Sequence, residues 1–198
     1  DKKDCEQESQ VKNFYFRQGG YLGVLYLLEA TDFHYENIIA SGEYPVLIDL
    51  ESLFHHREDS PSPRSSAMMH AKEKLESSVL RTQLLPFLVG GNNQDQGMSE
   101  ISGLGGKGGQ QTPFTRMDWD NIGTDEMKVV RRKGTTRDAN NLPVLNGESI
   151  ELLHYKEDLI NGFETIYKLL MEHKEELRQF ITIFKEDKTR QVLRPTYV

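Results

Sequence analysis

A single cysteine, Cys5, in 198 residues leaves no internal disulfide framework and no thiolate-rich zinc site, and it fits a reducing compartment. It stands in a polar terminal segment, DKKDCEQESQVKN, which predicts loose local order and little thiol reactivity. Long hydrophobic runs are lacking too. The longest mostly apolar stretch, YLGVLYLLEA, is far short of the roughly 20 residues that span a bilayer. No basic-then-apolar signal opens the chain, so a soluble, cytoplasmic protein is expected. Basic excess is missing as well: the formal net charge is −7, which argues against a nucleic-acid domain held by phosphate contacts. An anionic ligand would need locally placed basic residues. The chain begins without Met and ends at RQVLRPTYV, where a β-rich run has just begun, so a piece of a larger protein is expected.

With 36% hydrophobic residues, one domain or part of one can bury a core. Leu22, Leu25, Tyr26 and Leu28 cluster as in a helix that ends before Asp32. NIIAS and YPVLIDLE, separated by Gly42, predict a hairpin with Pro45 at a strand entrance and Asp49 within the second strand. HHREDSPSPRSS is loop chemistry, and Ala67 to Leu80 predicts a short helix. Gly90 to Gln111 is polar and Gly-rich and is expected to be mostly irregular. A packed Trp119 and a strand near MKVVRR follow, then a turn-rich link, NNLPVLNGE. Leu159, Phe163, Ile166, Tyr167 and Leu170 recur at helical spacing, predicting an amphipathic helix over 150–171 with a successor over 172–185. No internal repeat is evident.

The polar residues of ATDFHYENIIASGEYPVLIDLE carry the chemistry. Asp32 and Asn37 stand five apart between a helix and a strand, and Asp49 follows twelve residues later. Phosphoryl transfer requires a carboxylate to accept the proton of the attacking hydroxyl, and an amide with a second carboxylate to hold magnesium on the phosphates. Protein kinases space their base and metal-binding Asn in the same way, in H-R-D-x-x-x-x-N, and place a metal-binding Asp one hairpin later. Here that Asp lies in DLE rather than D-F-G, and His34 sits two residues after the base instead of two before it. Each residue alone has a commonplace explanation: an Asp at a helix end, an Asn in a turn, an Asp at a strand end. Their joint spacing favours the kinase-like site. A metal site of His34, His55 and His56 is disfavoured, because no spacing typical of zinc ligands is present and adjacent histidines do not normally share one ion. The G-x-G-x-x-G at Gly103, Gly105 and Gly108 has no convincing flanking strand and helix, and it follows the catalytic loop instead of preceding it. A flexible linker is expected there.

YLLEATDFHYENIIASGEYPVLIDLESLFH closely resembles the dehydratase domain of class II lanthionine synthetases, the LanM type, whose signature is D-x-H-x-x-N followed by P-V-L-I-D-x-E. SVLRTQLLP, WDNIGTDEM, NLPVLNGE, INGFETIY and RQVLRPT extend the similarity over nearly the whole chain. The resemblance implies an α+β fold like the C-lobe of a protein or lipid kinase. It also implies ATP- and Mg2+-dependent phosphorylation of Ser and Thr in a precursor peptide with a leader, followed by phosphate elimination to dehydroalanine or dehydrobutyrine. By that resemblance Asp32 is the base or hydroxyl-orienting residue with His34 beside it, Asn37 and Asp49 are the magnesium ligands, and Glu51 completes D-x-E in the nucleotide site. Arg190 and Thr196, six apart, would serve elimination, with Thr82 as a further contributor. Without the resemblance Arg190 reads as a strand-surface charge and Thr196 as a β-former. The ATP-clamping lysine, the rest of the N-lobe and the zinc-dependent cyclase lie outside this chain, so the remainder of the synthetase is an expected partner, no zinc is expected in this portion, and the piece alone is expected to be inactive. Two other classes share parts of the pattern: a kinase of the aminoglycoside-phosphotransferase type, which would stop at a phosphorylated product, and a non-catalytic peptide-binding pseudokinase.

Overall fold

The computed structural model describes residues 1–56, 67–90 and 97–190. Its longest helix, α1 (Glu8–Leu27), buries Val11, Phe14, Tyr15, Gln18, Leu22 and Leu25, a stripe at spacings of three and four. Glu29 ends it in the left-handed region (φ 53°). The Glu29 and Ala30 N–H groups close back on the Tyr26 and Leu25 carbonyls at 3.3 and 2.9 Å, so two terminal carbonyls are satisfied. The chain leaves this cap directly into the segment that carries Asp32.

Glycines inside α1 weaken it locally, by about 1 kcal/mol each relative to alanine, and the packing of α3 (Lys156–Glu172) explains them. A Cβ at Gly19 would overlap the Leu159 carbonyl oxygen, and one at Gly162 would overlap that of Phe16. The two backbones therefore touch where a glycine of each helix faces the other. Gly162→Ala is expected to lower stability by roughly 1–3 kcal/mol, read as a lower Tm; an unchanged Tm would show that the crossing can open without cost.

The described strands pair as four antiparallel ribbons. β1 (Ile38–Ser41) pairs with β2 (Tyr44–Leu47), Ile38 opposite Leu47 and Ile39 opposite Val46. Ile38, Ala40 and Pro45 turn inward, whereas Tyr44 and Val46 are exposed. After α2 (Ala67–Glu76) and a 3-10 turn (Val79–Thr82) come β3 (Leu88–Gly90) with β4 (Met98–Glu100), β5 (Gln111–Asp120) with β6 (Lys128–Thr135), and β7 (Val144–Leu145) with β8 (Glu148–Ser149). A 3-10 turn (Leu152–Tyr155), α3, α4 (Lys174–Ile181) and a last 3-10 turn (Thr182–Phe184) follow. The core joins α1 to Phe33, Ile38, Ala40, Leu84, Leu104 and Leu159. Helices and antiparallel ribbons in separate stretches match the expected α+β class.

Several expectations change. Strand β2 stops at Leu47, so Asp49 lies beyond the strand, in the left-handed region (φ 60°). Part of the Gly-rich connection is ordered as β4, the helix after Ala67 ends at Glu76 instead of Leu80, and the helix expected from residue 150 starts as a 3-10 turn. Trp119 is 52% exposed on the β5–β6 ribbon, away from the core. Cys5 is buried, its N–H bonded to Val144 O at 2.7 Å, because the N-terminal segment bridges both β1 and β7. Burial pushes its thiol above the ordinary range, in keeping with an unreactive cysteine. Among the described residues no helix is long and apolar enough to cross a membrane.

Candidate functional site

The segment after α1 is pinned residue by residue. Thr31 N–H reaches Ser52 O, and Ser52 Oγ donates back to Thr31 O. Phe33 N–H donates to Thr82 O (3.0 Å) and Tyr35 N–H to Ile101 O (3.1 Å), while the Phe33 ring lies in the core. These bonds fix the loop on both sides of Asp32 and hold Asp32 itself at φ 66°, a conformation that costs a non-glycine residue free energy. A 3-10 turn, Tyr35–Asn37, then leads into β1.

Asn37 joins the two halves of the site. Its Nδ2 donates to Asp32 O at 2.8 Å, and its own carbonyl accepts from Ile48 N–H at 3.0 Å, one residue before Asp49. With Nδ2 engaged, the amide oxygen is the atom left to bind a cation. His34 is buried, and its Nδ1 accepts from Glu36 N–H at 3.3 Å, so a neutral ring carries its proton on Nε2. Asp32 Oδ1 is buried without a hydrogen-bond partner, although the residue as a whole is half-buried. Burial pushes the Asp32 carboxyl above its ordinary range; His34 and Arg190 draw it down, and Asp49 and Glu51 push it further up. Those four side chains therefore bear on one carboxylate. Arg190 Nη1 forms an ion pair with Glu51.

The structure thus brings Asp32, His34, Asn37, Asp49, Glu51 and Arg190 together. Thr82 is buried against the loop, and its hydroxyl is engaged within its own turn, donating to Val79 O (2.8 Å) and accepting from Leu84 N–H (3.3 Å). It holds Phe33 through its backbone. Thr196 lies outside the described residues. Among those described, no three His, Cys, Asp or Glu side chains stand close enough to cage a metal. A magnesium ion does not require such a cage, since it commonly takes one or two protein oxygens and completes its shell with phosphates and water. The amide oxygen of Asn37 and the exposed carboxylate of Asp49 fit that requirement.

Two supports of the site went unrecognised in the sequence. Arg81, almost fully buried, donates from Nη2 to Glu29 O (2.9 Å) and His55 O (3.3 Å) and pairs with the Glu29 carboxylate, bracing the approach to Asp32 against the segment after Glu51. An arginine inside the apolar island SVLRTQLLP was its signal. The second is the glycine cluster, where the linker expectation is overturned. Gly103 and Gly106 are buried; a Cβ on Gly103 would stand 2.6 Å from Phe33 O, and one on Gly106 2.5 Å from Tyr35 Cβ. Buried Asn141 donates to both their carbonyls at 2.9 Å. These glycines let a backbone lie flat against the loop.

Comparison with known proteins covers the chain as a whole. The model of a family described as a domain of unknown function (DUF4135) matches residues 1–198. The lacticin 481/lactococcin biosynthesis protein LcnDR2 of Lactococcus lactis subsp. lactis is 27% identical over 187 residues, which cover 91% of this chain and 19% of that protein. The chain spans less than a quarter of this relative's length. Matched from end to end, it belongs to the DUF4135 family and groups with the LanM-type synthetases that its motifs resemble.

Proposed function

We propose that this chain carries the phosphorylation and elimination site of a lanthipeptide dehydratase, acting within a longer, cytoplasmic synthetase on Ser and Thr of a leader-bearing precursor peptide. The observation that carries the reading is Asp32: a carboxylate with one buried, unpartnered oxygen, tied through Asn37 to the strand end that presents Asp49. In this reading the fold corresponds to a kinase-like C-lobe. Asp32 accepts a hydrogen bond from the acceptor hydroxyl and takes its proton as the phosphoryl group arrives, and its raised affinity for protons suits that task. His34 Nε2–H is the neighbouring donor. Asn37 and Asp49 would hold magnesium, which supplies charge neutralisation on the nucleotide phosphates, with Glu51 completing the acidic edge. Ile39, Val46 and Ile48 line the outer face of β1–β2 beside Asp49, an apolar floor suited to a nucleotide base. In this reading Arg190, close enough to bias Asp32, receives the leaving phosphate.

Mass spectrometry of a Ser/Thr/Cys-rich precursor incubated with the full-length protein, ATP and magnesium tests this. Loss of water is expected. Gain of phosphate without later loss would instead mark a kinase of the aminoglycoside-phosphotransferase type, and binding without nucleotide turnover a peptide-binding pseudokinase. Asp49→Ala should weaken magnesium-dependent ATP turnover by roughly tenfold or more with an unchanged circular dichroism spectrum, because Asp49 is exposed and buries nothing. A lost spectrum would make Asp49 a residue of the fold instead.

A further inference from the structure

Beside the catalytic loop opens a cavity of about 350 Å³ that the reaction described above does not use. One wall is the loop itself: Tyr35 and Glu36, in the 3-10 turn between His34 and Asn37. The other is the root of the β3–β6 ribbons, which contributes Arg116, Thr135, Thr136 and Arg137 among its lining residues. Tyr35 stands between the two walls. Its hydroxyl donates weakly to Glu36 Oε1 at 3.4 Å, and Arg137 is near enough to favour the ionised phenol. The Arg137 guanidinium forms no ion pair among the described residues.

Arg116 shows the same excess of positive charge. It lies directly opposite Arg132 across the β5–β6 ribbon, a pairing of like charges that costs stability. Arg132 is compensated by Asp120 at 2.8 Å; Arg116 has no such carboxylate among the described residues. In a chain of net charge −7, two exposed guanidinium groups at one cavity, neither in an ion pair among the described residues, favour an anion there. Glu36 limits its charge: two cations against one carboxylate leave a single positive charge, which a monoanionic carboxylate balances and a phosphate dianion exceeds.

We propose that this cavity is a substrate subsite that takes an acidic side chain of the precursor peptide, close in sequence to the Ser or Thr presented to Asp32. The proposal rests on the dehydratase reading and adds a specificity to it. Tyr35 and Glu36 of the cavity wall follow Asp32 by three and four positions in one pinned loop, so the acid is expected within a few residues of the acceptor. Arg116 and Arg137 are positioning residues that touch the peptide and take no part in phosphoryl transfer.

The test uses the full-length protein and three synthetic precursor peptides differing at one site two residues from a single acceptor: Asp, Asn or Lys. For Arg116→Glu/Arg137→Glu, KM for the Asp peptide should rise about tenfold or more with kcat kept within about twofold, the Asn peptide should change little, and the Lys peptide should improve. Equal losses on Asp and Asn peptides, or no loss on either, would overturn the subsite. Competition by inorganic phosphate at millimolar concentration against the Asp peptide, abolished in the double variant, would reassign the cavity to phosphate and overturn the carboxylate. Peptide Kd by fluorescence anisotropy in an Asp32→Asn background requires no turnover, so the same charge preference there supports the subsite even if the wild-type protein dehydrates nothing, and its absence counts against it. Arg116→Gln/Arg137→Gln, which removes charge without reversing it, should show an intermediate loss on the Asp peptide alone.

Discussion

Asp32→Asn in the full-length protein is expected to stop dehydration, by about 10²–10⁴-fold in rate, while leaving the protein more stable at neutral pH. The loss follows from removing the group that orients the acceptor hydroxyl and takes its proton. The gain follows from burial: the folded state holds the Asp32 carboxyl above its ordinary proton affinity, chiefly by desolvation and then by Asp49 and Glu51. A raised folded pKa means that the contribution of Asp32 to stability is most favourable below the unfolded value of 3.8 and is lost as pH rises through the folded value. At pH 7 the charged Asp32 is therefore a cost that asparagine removes. Asparagine also tolerates the left-handed backbone (φ 66°) better than alanine, so Asp32→Asn separates chemistry from strain where Asp32→Ala would mix them. Thermal melts should show variant and wild type converging below about pH 4 and diverging above it, with the variant higher. Dehydration at near the normal rate would sink the role of Asp32; a variant less stable at pH 7 would mean that its carboxylate is paired after all.

How much of this was legible depended on whether a residue's role is local. The hairpin of Ile38–Leu47 follows from β-branched runs and Gly42, and the spacing of Asp32, Asn37 and Asp49 marks the site because loop, hairpin and strand end are joined by short connections. What holds those residues in place was much less visible. Asn141 is 104 positions after Asn37, and nothing in NNLPVLNGE indicates that its amide bridges Gly103 and Gly106 behind the loop. A glycine-rich run looks the same whether it is loose or packed flat, since both need small residues; only the neighbours at Phe33 and Tyr35 decide. Cys5 was misjudged for a similar reason: polar neighbours say little about a segment whose order comes from β1 and β7. Trp119 erred the other way, because the size of an aromatic residue predicts burial only if some element packs against it.

The largest remaining effect is expected at Arg190, where the two half-reactions should come apart. Phosphorylation draws on Asp32, Asn37 and Asp49. Elimination instead requires that the phosphate be held as it leaves and that the α-proton of the modified residue be removed. Arg190 reaches the acidic edge of the site through its ion pair with Glu51 and is near enough to lower the proton affinity of Asp32, yet among the described residues it forms no hydrogen bond with Asn37 or with the loop backbone. Its side chain stays largely exposed, so Arg190→Ala should not disturb the fold. A guanidinium can hold two phosphate oxygens at once, and losing such a contact in a closed site is expected to slow elimination by roughly 10²-fold. Arg190→Ala should therefore still consume ATP and accumulate phosphorylated peptide, visible by mass spectrometry of the quenched reaction. Arg190→Lys, which keeps the charge and loses the fork, should fall between. Glu51→Gln adds a further contrast: it releases Arg190 from its ion pair, so a phosphopeptide that still builds up there would show that Glu51 is what aims the guanidinium. If Arg190→Ala yields fully dehydrated peptide at the usual rate, Arg190 is a surface charge paired with Glu51 and nothing more; if it yields no modification from a folded protein, its place is in nucleotide or substrate binding, before the phosphate is transferred.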